Sequence, residues 1–444
     1  MSSSLPSYRK IWDIAWPLMM GLLAESLVGV VDTAFLGHIG ELELAAPAIA
    51  GAFFIILFLV GMGFGTGTQI LIARRNGEKN YAKIGGIFEN SLYFILVFSA
   101  AVILFSTLFS RHILGFMLNS EEILNAAMRY LNIRIYSLFF ALGCVMMRSF
   151  FVGIQLTKYI GMGAIVVAVT NFIMDYILIF GKLGFPRMGL EGAALACIFA
   201  EAAGFLYFVI ITIKKIDLGK YQMFIFRRPQ LQIISQTMSL SVFTMLQNLI
   251  SLSSWFLFFI MIEKTGEHNL ATSNIIRSYY TLALCPVWAY GSAVSTLVSN
   301  AIGAGRRHHV FRIIRRVIVF GMITSVVAII PALVSAKGIM SLYTGNMELV
   351  ETGYKALYVV GVANILAPVA WITFSAISAT GNTMIALFVE SVTLMCYLAS
   401  VYFFASHFPN RVEIIWCAEN VYQIMLCVLS VWYLRTNHWV KKRI

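Results

Sequence analysis

Long apolar stretches alternate with short polar connections along almost the whole chain, and this pattern predicts a helical protein that crosses a membrane many times. A helix needs about 20 mainly apolar residues to cross the hydrocarbon core of a bilayer. The apolar stretches reach that length, and no soluble domain fits between them. Twelve spans are predicted, over residues 14–38, 46–72, 86–108, 123–150, 160–181, 190–213, 234–262, 270–300, 315–336, 350–375, 384–405 and 412–434.

The composition agrees with an all-α integral membrane protein. Of the 444 residues, 60% are hydrophobic and only 12% are charged, a balance that soluble domains do not show. The six cysteines lie in apolar segments and lack the CxxC spacing of zinc sites. They therefore predict neither a disulfide framework nor a structural metal, and we expect no cofactor.

The basic residues are distributed unevenly between the two sides of the predicted membrane. Alternate connections hold 22 Lys and Arg residues on one side and six on the other. The positive-inside rule therefore predicts that both termini are cytoplasmic. The net charge of +12 has the same origin, since short basic loops beside membrane ends are attracted to anionic lipid. The lipid bilayer is the expected partner, and nucleic-acid binding is disfavoured.

The chain also resembles itself when it is shifted by 226 residues. Eight identities, several of them glycines, fall within the 38 positions from Gly40 to Gly77 when these are laid against Gly266 to Gly303. This match predicts a duplication. Because each copy contains six spans, both copies enter the membrane in the same orientation, as a parallel repeat of two six-helix bundles. The predicted domains are residues 1–213 and 234–444, joined by a cytoplasmic linker over 214–233.

Asp32 and Asp175 are carboxylates inside apolar spans, and Asn171 lies one helical turn before Asp175. A charged aspartate at the centre of a membrane helix costs roughly 2.5 to 3.5 kcal/mol, so such residues usually have a function. If they only joined helices together, the second copy would be expected to keep a counterpart. The equivalent positions of the second copy hold Phe258, Tyr397 and Val401.

Depth in the membrane indicates that these groups share one site. At about 1.5 Å per residue, Asp32, Asp175 and Cys197 all lie roughly 8 to 10 Å below the predicted outer boundary. Oxygen ligands from Asp32, Asn171 and Asp175 suit a sodium ion, whereas two close carboxylates also suit a retained proton. A static polar contact between helices is the alternative.

Several motifs together resemble the multidrug and toxic compound extrusion (MATE) transporters. They are AWP at 15–17, VDTAFLG at 31–37, NFIMD at 171–175, GLEGAALA at 189–196 and SNAIGAGR at 299–306. The likeness covers essentially the whole chain. It implies two six-helix bundles around a central cavity, in which acids of the first bundle couple sodium or proton entry to the export of organic compounds.

The resemblance also implies roles for particular residues. Asp32 and Asp175 would couple the ion, with Asn171 and Tyr130 beside them. Cys197 stands where the family often has threonine, which removes one oxygen ligand. Pro17 would bend the first span when the nearby acid is protonated, although this proline would also be tolerated at the start of that helix.

One feature of the seventh span indicates which branch of the family the chain resembles. Residues 247–258 of the seventh span contain no carboxylate, which favours the branch typified by DNA-damage-inducible protein F. Arg277 is an intramembrane cation that has Glu25 or backbone carbonyls as candidate partners, so these two residues form a candidate second polar site. Glu201 and Glu390 are expected to reach hydrated loops at the cytoplasmic side.

These patterns together predict a monomeric antiporter of the bacterial cytoplasmic membrane. It would exchange inward H⁺ or Na⁺ for outward amphiphilic or cationic organic compounds by alternating access, as in multidrug efflux. A lipid-linked-sugar flippase of a related superfamily is the alternative within transport. An intramembrane enzyme or a channel is disfavoured, because the sequence has no nucleotide-binding loop, HExxH motif, nucleophile with a base, or selectivity filter.

Overall fold

The computed structural model describes residues 5–37, 39–118 and 120–441. Over these ranges the chain forms sixteen α-helices and two short 3-10 helices, at Arg307–His309 and His438–Lys441, and contains no strand. The α-helices are α1 (Tyr8–Gly37), α2 (Glu41–Gly77), α3 (Ala82–Met117), α4 (Glu121–Arg134), α5 (Ser137–Gly153), α6 (Lys158–Phe180), α7 (Gly189–Lys215), α8 (Leu218–Tyr221), α9 (Leu231–Glu263), α10 (Glu267–Gly303), α11 (Val310–Val334), α12 (Ala336–Tyr343), α13 (Met347–Ala379), α14 (Thr383–His407), α15 (Val412–Ile415) and α16 (Cys417–Arg435).

The predicted all-α membrane architecture is confirmed. Among the described residues, eleven helices are long and apolar enough to cross a membrane, and the bent pair of α4 and α5 raises the number to twelve. Helices are the natural solution here, because a backbone in lipid must satisfy its own hydrogen bonds.

The duplication is visible in the bounds of the helices. α2 and α10 are both 37 residues long, and their first and last residues differ by the same 226 positions as the sequence match. α6 and α14 correspond to within one residue at each end under that shift. The two copies therefore share helix lengths as well as sequence.

The fourth span departs from the sequence prediction of one continuous helix over 123–150. It is divided into α4 and α5, which meet at an angle of 49°. Its repeat equivalent, α13, covers the corresponding residues without a break. At the break the Ser137 hydroxyl donates to the carbonyl of Arg134 at 2.7 Å, and the Leu138 amide donates to Ile135 instead, at 3.1 Å. A side chain that enters the helical hydrogen-bond ladder is a recognised cause of such a kink.

The helices group into two compact units. One unit is Trp16–Met245, and the other contains the described residues of Met1–Ala15 and Leu246–Ile444. Both α1 and α9 therefore contribute to two units. The domain limits expected from the sequence place the junction earlier, in the linker at 214–233, and they stay a prediction.

The linker after α8 is held by two buried side chains of α3. Glu89 is 2% exposed. Its carboxylate accepts from the backbone amides of Ile225, Phe226 and Arg227 at 2.7, 3.2 and 3.4 Å. The neighbouring Asn90 accepts from the Gln230 amide at 2.6 Å. One carboxylate thus satisfies three amides that a non-helical segment would otherwise leave unpaired.

We predict that Glu89→Ala destabilises the protein, because it removes the only side chain that these three amides bond among the described residues. A buried donor left without a partner costs about 1 to 3 kcal/mol. Thermal unfolding of the purified protein should therefore begin at a clearly lower temperature. Glu78→Ala, which removes the exposed pairing with Arg75 at 2.8 Å, is the matched control and should change little. Equal melting of the two variants would contradict the anchoring role.

Candidate functional site

The structure brings Asp32 of α1 together with Asn171 and Asp175 of α6. Asn171 and Asp175 are separated by one turn and so project from the same face of their helix. They are 1% and 0% exposed. When the Asn171 amide is oriented to satisfy its neighbours, its nitrogen donates to Asp32 Oδ1 at 2.8 Å and to Asp175 Oδ2 at 3.2 Å. This orientation is assigned from the hydrogen bonds.

The two carboxyl groups also contact each other directly. Asp32 and Asp175 are within hydrogen-bond reach, and Asp175 Oδ1 is buried without a hydrogen-bond partner among the described residues. Two carboxylates at this separation repel each other unless a proton or a cation lies between them. The pair is therefore a site that gains stability when it takes up one positive charge.

Tyr130 and Cys197 complete the polar centre. Tyr130 is hydrogen-bonded to Cys197, and the Cys197 sulfur lies 3.9 Å from the atom of the Asn171 amide that faces away from the carboxyl groups. α7 reaches this position because Gly192 permits close packing on α6. A Cβ at Gly192 would lie 2.8 Å from the backbone of Leu178.

An apolar cluster closes the site toward the C-terminal ends of α1 and α6. Leu36 and Ile179 lie one turn beyond Asp32 and Asp175 and are 3% and 0% exposed. The Phe35 and Phe180 rings pack against this cluster, with their centroids 5.5 Å apart. Such packing keeps water out on this side and lowers the local dielectric constant, which strengthens the interactions among the carboxyl groups.

Arg134 is a member of the site that the sequence analysis missed. It lies at the break between α4 and α5, where its guanidinium donates to the Ser137 hydroxyl at 2.5 Å and covers the Phe54 ring at 4.3 Å. It interacts electrostatically with both Asp32 and Asp175. An arginine within a predicted span is itself the sequence signal for such a role.

Further charged groups continue from Arg134 with alternating sign. Glu201 of α7 interacts electrostatically with Arg134 and Arg148, and Arg148 forms an ion pair with Glu25 at 2.5 Å. Arg148 lies inside α5. We call this set the charge chain. It consists of Asp32, Asp175, Arg134, Glu201, Arg148 and Glu25.

The other residues singled out from the sequence lie in different surroundings. Glu25 has Arg148 as its ion-pair partner. Arg277 covers the Phe259 ring at 4.9 Å, and its pairing with Glu25 stays a prediction. Pro17 lies within α1, nine residues after its start, so it does not begin the helix. Its carbonyl approaches α6, where a Cβ at Gly161 would be 3.1 Å away.

The comparisons with known proteins agree on a family. The family model described as MatE matches residues 17–177 and 244–408. A probable multidrug resistance protein NorM of Thermotoga maritima is 23% identical over 99% of this chain and 95% of its own. The multidrug export protein MepA of Staphylococcus aureus is 22% identical over 85% of this chain and 82% of its own.

Solved structures show the same fold. A variant of the Vibrio cholerae MATE transporter VcmN superposes with a TM-score of 0.90 at 19% identity, over 98% of both chains. A transporter of the MOP superfamily from Pyrococcus furiosus does so with a TM-score of 0.90 at 18% identity, over 98% of this chain and 97% of the other. Since the family model matches well over half of the sequence, in both halves of the repeat, the chain belongs to the MatE family of transporters, as its motifs led us to expect.

Proposed function

We propose that this protein is an antiporter that exports organic compounds in exchange for a cation bound by Asp32 and Asp175. The observation that carries the proposal is the contact between these two carboxyl groups, which come from different helices and are bridged by one amide. In a site of this kind, the two carboxylates repel each other when no cation is bound, and a bound cation removes that repulsion. No covalent chemistry is needed for such a cycle.

The charge balance of the first unit supports uptake of positive charge at this pair. With every group ionised, the charge chain holds four carboxylates and two guanidinium groups, an excess of two negative charges. Arg148 and Glu25 neutralise each other at 2.5 Å, and Arg134 interacts electrostatically with both Glu201 and the Asp32–Asp175 pair. The uncompensated charge therefore resides mainly on Asp32 and Asp175, where one or two bound cations remove it.

A proton suits the site better than sodium. Sodium, as a hard cation, requires several oxygen ligands, but the Asn171 nitrogen faces the carboxyl groups and its oxygen is turned toward Cys197. Cys197 itself offers sulfur, a soft ligand. Few oxygens besides those of the two carboxyl groups remain to bind sodium. The two carboxyl groups can share a proton without further ligands.

Release of the ion is expected to change how α1 packs on α6. While a proton is shared, Asp32 and Asp175 attract each other through a hydrogen bond, and after release they repel. Pro17 weakens the hydrogen-bond ladder of α1, two turns before Glu25 and four before Asp32. We propose that α1 bends at this point as the ion exchanges, so that the ion and the organic substrate occupy alternate states of the protein.

The remaining assignments follow from family membership and from the sequence. The relatives named above are multidrug resistance or export proteins, and we propose small amphiphilic or cationic organic compounds as substrates here. The charge asymmetry supports a bacterial cytoplasmic membrane location with both termini in the cytoplasm. We propose that the monomer is the working unit.

We predict that Asp32→Asn and Asp175→Asn each abolish or uncouple export while the protein still inserts and folds. An amide cannot take up and release a proton near neutral pH, so the site loses its exchangeable charge. The measurement is proton-driven uptake of a cationic fluorescent dye into inverted membrane vesicles, with the amount of folded protein measured by size-exclusion chromatography.

His308→Ala is the matched control for these two variants. His308 is an exposed residue of the 3-10 helix Arg307–His309, far in sequence from the site, and its loss should change uptake little. Unchanged proton-driven uptake in the Asp32→Asn, Asp175→Asn double variant would contradict the proposed function.

We predict that a proton gradient drives export by the wild-type protein and that a sodium gradient at constant pH does not. Cys197→Ser should add a sodium response, because it places a hydroxyl oxygen beside Asn171 with almost no change in volume. Dye transport by reconstituted proteoliposomes under each gradient separately gives the answer. A wild-type protein that responds to sodium alone would show that the choice of a proton is wrong.

We predict that Arg134→Met shifts the pH dependence of export toward higher pH on the side where the proton is released. A nearby cation favours the ionised form of a carboxyl group, so the pair will hold its proton to higher pH without it. Arg134→Lys keeps the charge and should restore most of the wild-type profile. A profile that is lower at every pH but unshifted in both variants would indicate a purely structural role for this arginine.

A further inference from the structure

The second unit contains its own buried polar cluster, which neither the sequence motifs nor the proposed function explains. Four helices contribute side chains to it, namely α9, α10, α14 and α16. We call it the C-terminal polar cluster. It is formed by Ser251, Tyr280, Glu390, Glu419, Tyr422 and Gln423.

Glu390 was expected from the sequence to reach a hydrated loop. That expectation is wrong, because its side chain is buried and only 1% exposed. Its Oε1 atom accepts from the Ser251 hydroxyl at 2.8 Å and from the Tyr422 hydroxyl at 2.9 Å. Its Oε2 atom is buried and has no hydrogen-bond partner among the described residues. One half of this carboxyl group is thus well supplied with donors, and the other half is left without any.

Glu419 lies in the same network and is 4% exposed. It accepts from the Tyr280 hydroxyl at 3.2 Å, and that hydroxyl accepts from Gln423 Nε2 at 3.1 Å. Gln423 is 1% exposed, and its Oε1 atom is a second buried oxygen that has no partner in the described part of the chain. Two unsatisfied acceptors in one buried cluster indicate a place where a positive charge or a proton donor is accommodated.

The repeat places this cluster at the position of the acid site in the first copy. Under the shift of 226 residues, Tyr397 and Gln423 occupy the positions of Asn171 and Cys197. Tyr397 interacts electrostatically with Glu419, and its ring packs 5.8 Å from that of Tyr422. The second copy therefore lacks acids at the positions of Asp32 and Asp175, and it carries acids at other positions, Glu390 of α14 and Glu419 of α16.

Among the described residues, no cation compensates either carboxyl group. The groups that face them are Ser251 from α9, Tyr280 from α10, Tyr397 from α14, and Tyr422 and Gln423 from α16, with the Trp371 ring of α13 packed 6.3 Å from that of Tyr422. None of these carries a positive charge. A buried and uncompensated carboxylate is costly, which favours the protonated form, while hydroxyl donors aimed at one oxygen stabilise the ionised form.

We propose that Glu390 and Glu419 form a second site of proton uptake and release, inside the C-terminal unit. The surroundings stabilise both the protonated and the ionised form of these carboxyl groups. A purely structural hydrogen bond would require only one of the two forms. In uptake, a carboxylate oxygen forms an O–H bond with a proton from water. In release, that O–H bond breaks and the proton returns to water. Proton exchange here does not depend on the proposed function, whereas its link to export does.

The test is infrared difference spectroscopy of the purified full-length protein between acidic and alkaline pH, which detects the carbonyl stretch of protonated carboxyl groups. We expect Glu390→Gln and Glu419→Gln each to remove part of the titrating carboxyl signal. Glu348→Gln, which alters an exposed acid of α13 in the same unit, is the matched control and should leave the buried-carboxyl signal intact. Tyr422→Phe removes one donor to the ionised form, so titration of the Glu390 signal should move to higher pH.

Two outcomes would overturn the inference. A titrating signal that is the same in the folded Glu390→Gln, Glu419→Gln double variant as in the wild type would show that these acids do not exchange protons. A response of their signal to sodium at constant pH would show that the site binds a metal cation instead. The same spectra in the Asp32→Asn, Asp175→Asn background separate the two sites, since the C-terminal signal should persist there whether or not export fails.

Discussion

Two carboxyl groups in hydrogen-bond contact inside an apolar helical bundle set the constraint on which the rest of this structure depends. Asp32 and Asp175 cannot both be ionised there without strong repulsion, and water is excluded on one side by Leu36, Ile179 and their neighbours. The pair must hold a proton or a cation, or else separate. Because the two groups lie on α1 and α6, the state of the site is linked directly to the packing of two helices.

The surroundings of the pair keep this balance adjustable. Asn171 donates to both carboxyl groups and so stabilises negative charge on either one. Arg134 adds a positive charge at the break of the fourth span, where the continuous helix α13 of the second copy has Val360 instead. The break and the arginine occur together in the copy that carries the acid pair. We interpret the kink as the means by which a guanidinium group is placed near the site.

Much of the fold could be predicted from the sequence, because helix length and spacing are fixed by the thickness of a bilayer. The twelve spans, the repeat and the convergence of Asp32, Asn171 and Asp175 all followed from periodicity, an ungapped shift and depth. The break after Arg134 could not be predicted, since it depends on one hydroxyl competing for one carbonyl. The ion pair of Glu25 with Arg148 could not be predicted either, because pairing between helices depends on rotation about their axes, which hydropathy does not encode.

The two copies illustrate how one architecture can hold different chemistry. The helix bounds of α2 and α10 agree residue for residue under the shift, yet the acids occupy different positions in the two copies. They lie on α1 and α6 in the first copy, and on α14 and α16, the equivalents of α6 and α7, in the second. Comparison of aligned positions alone suggested that the second copy had lost its carboxyl groups. Glu419 aligns with Ala193, so only the three-dimensional contacts show that polar character was retained at this place.

The central claim is that Asp32 and Asp175 hold a proton that substrate export displaces. The most direct measurement is proton release when a cationic dye such as ethidium is added to the purified protein in weakly buffered solution containing a pH indicator. The account predicts release from the wild-type protein and a large reduction in the Asp32→Asn, Asp175→Asn double variant, with dye binding measured in parallel. Equal proton release from the wild type and from a double variant that still binds the dye would contradict it.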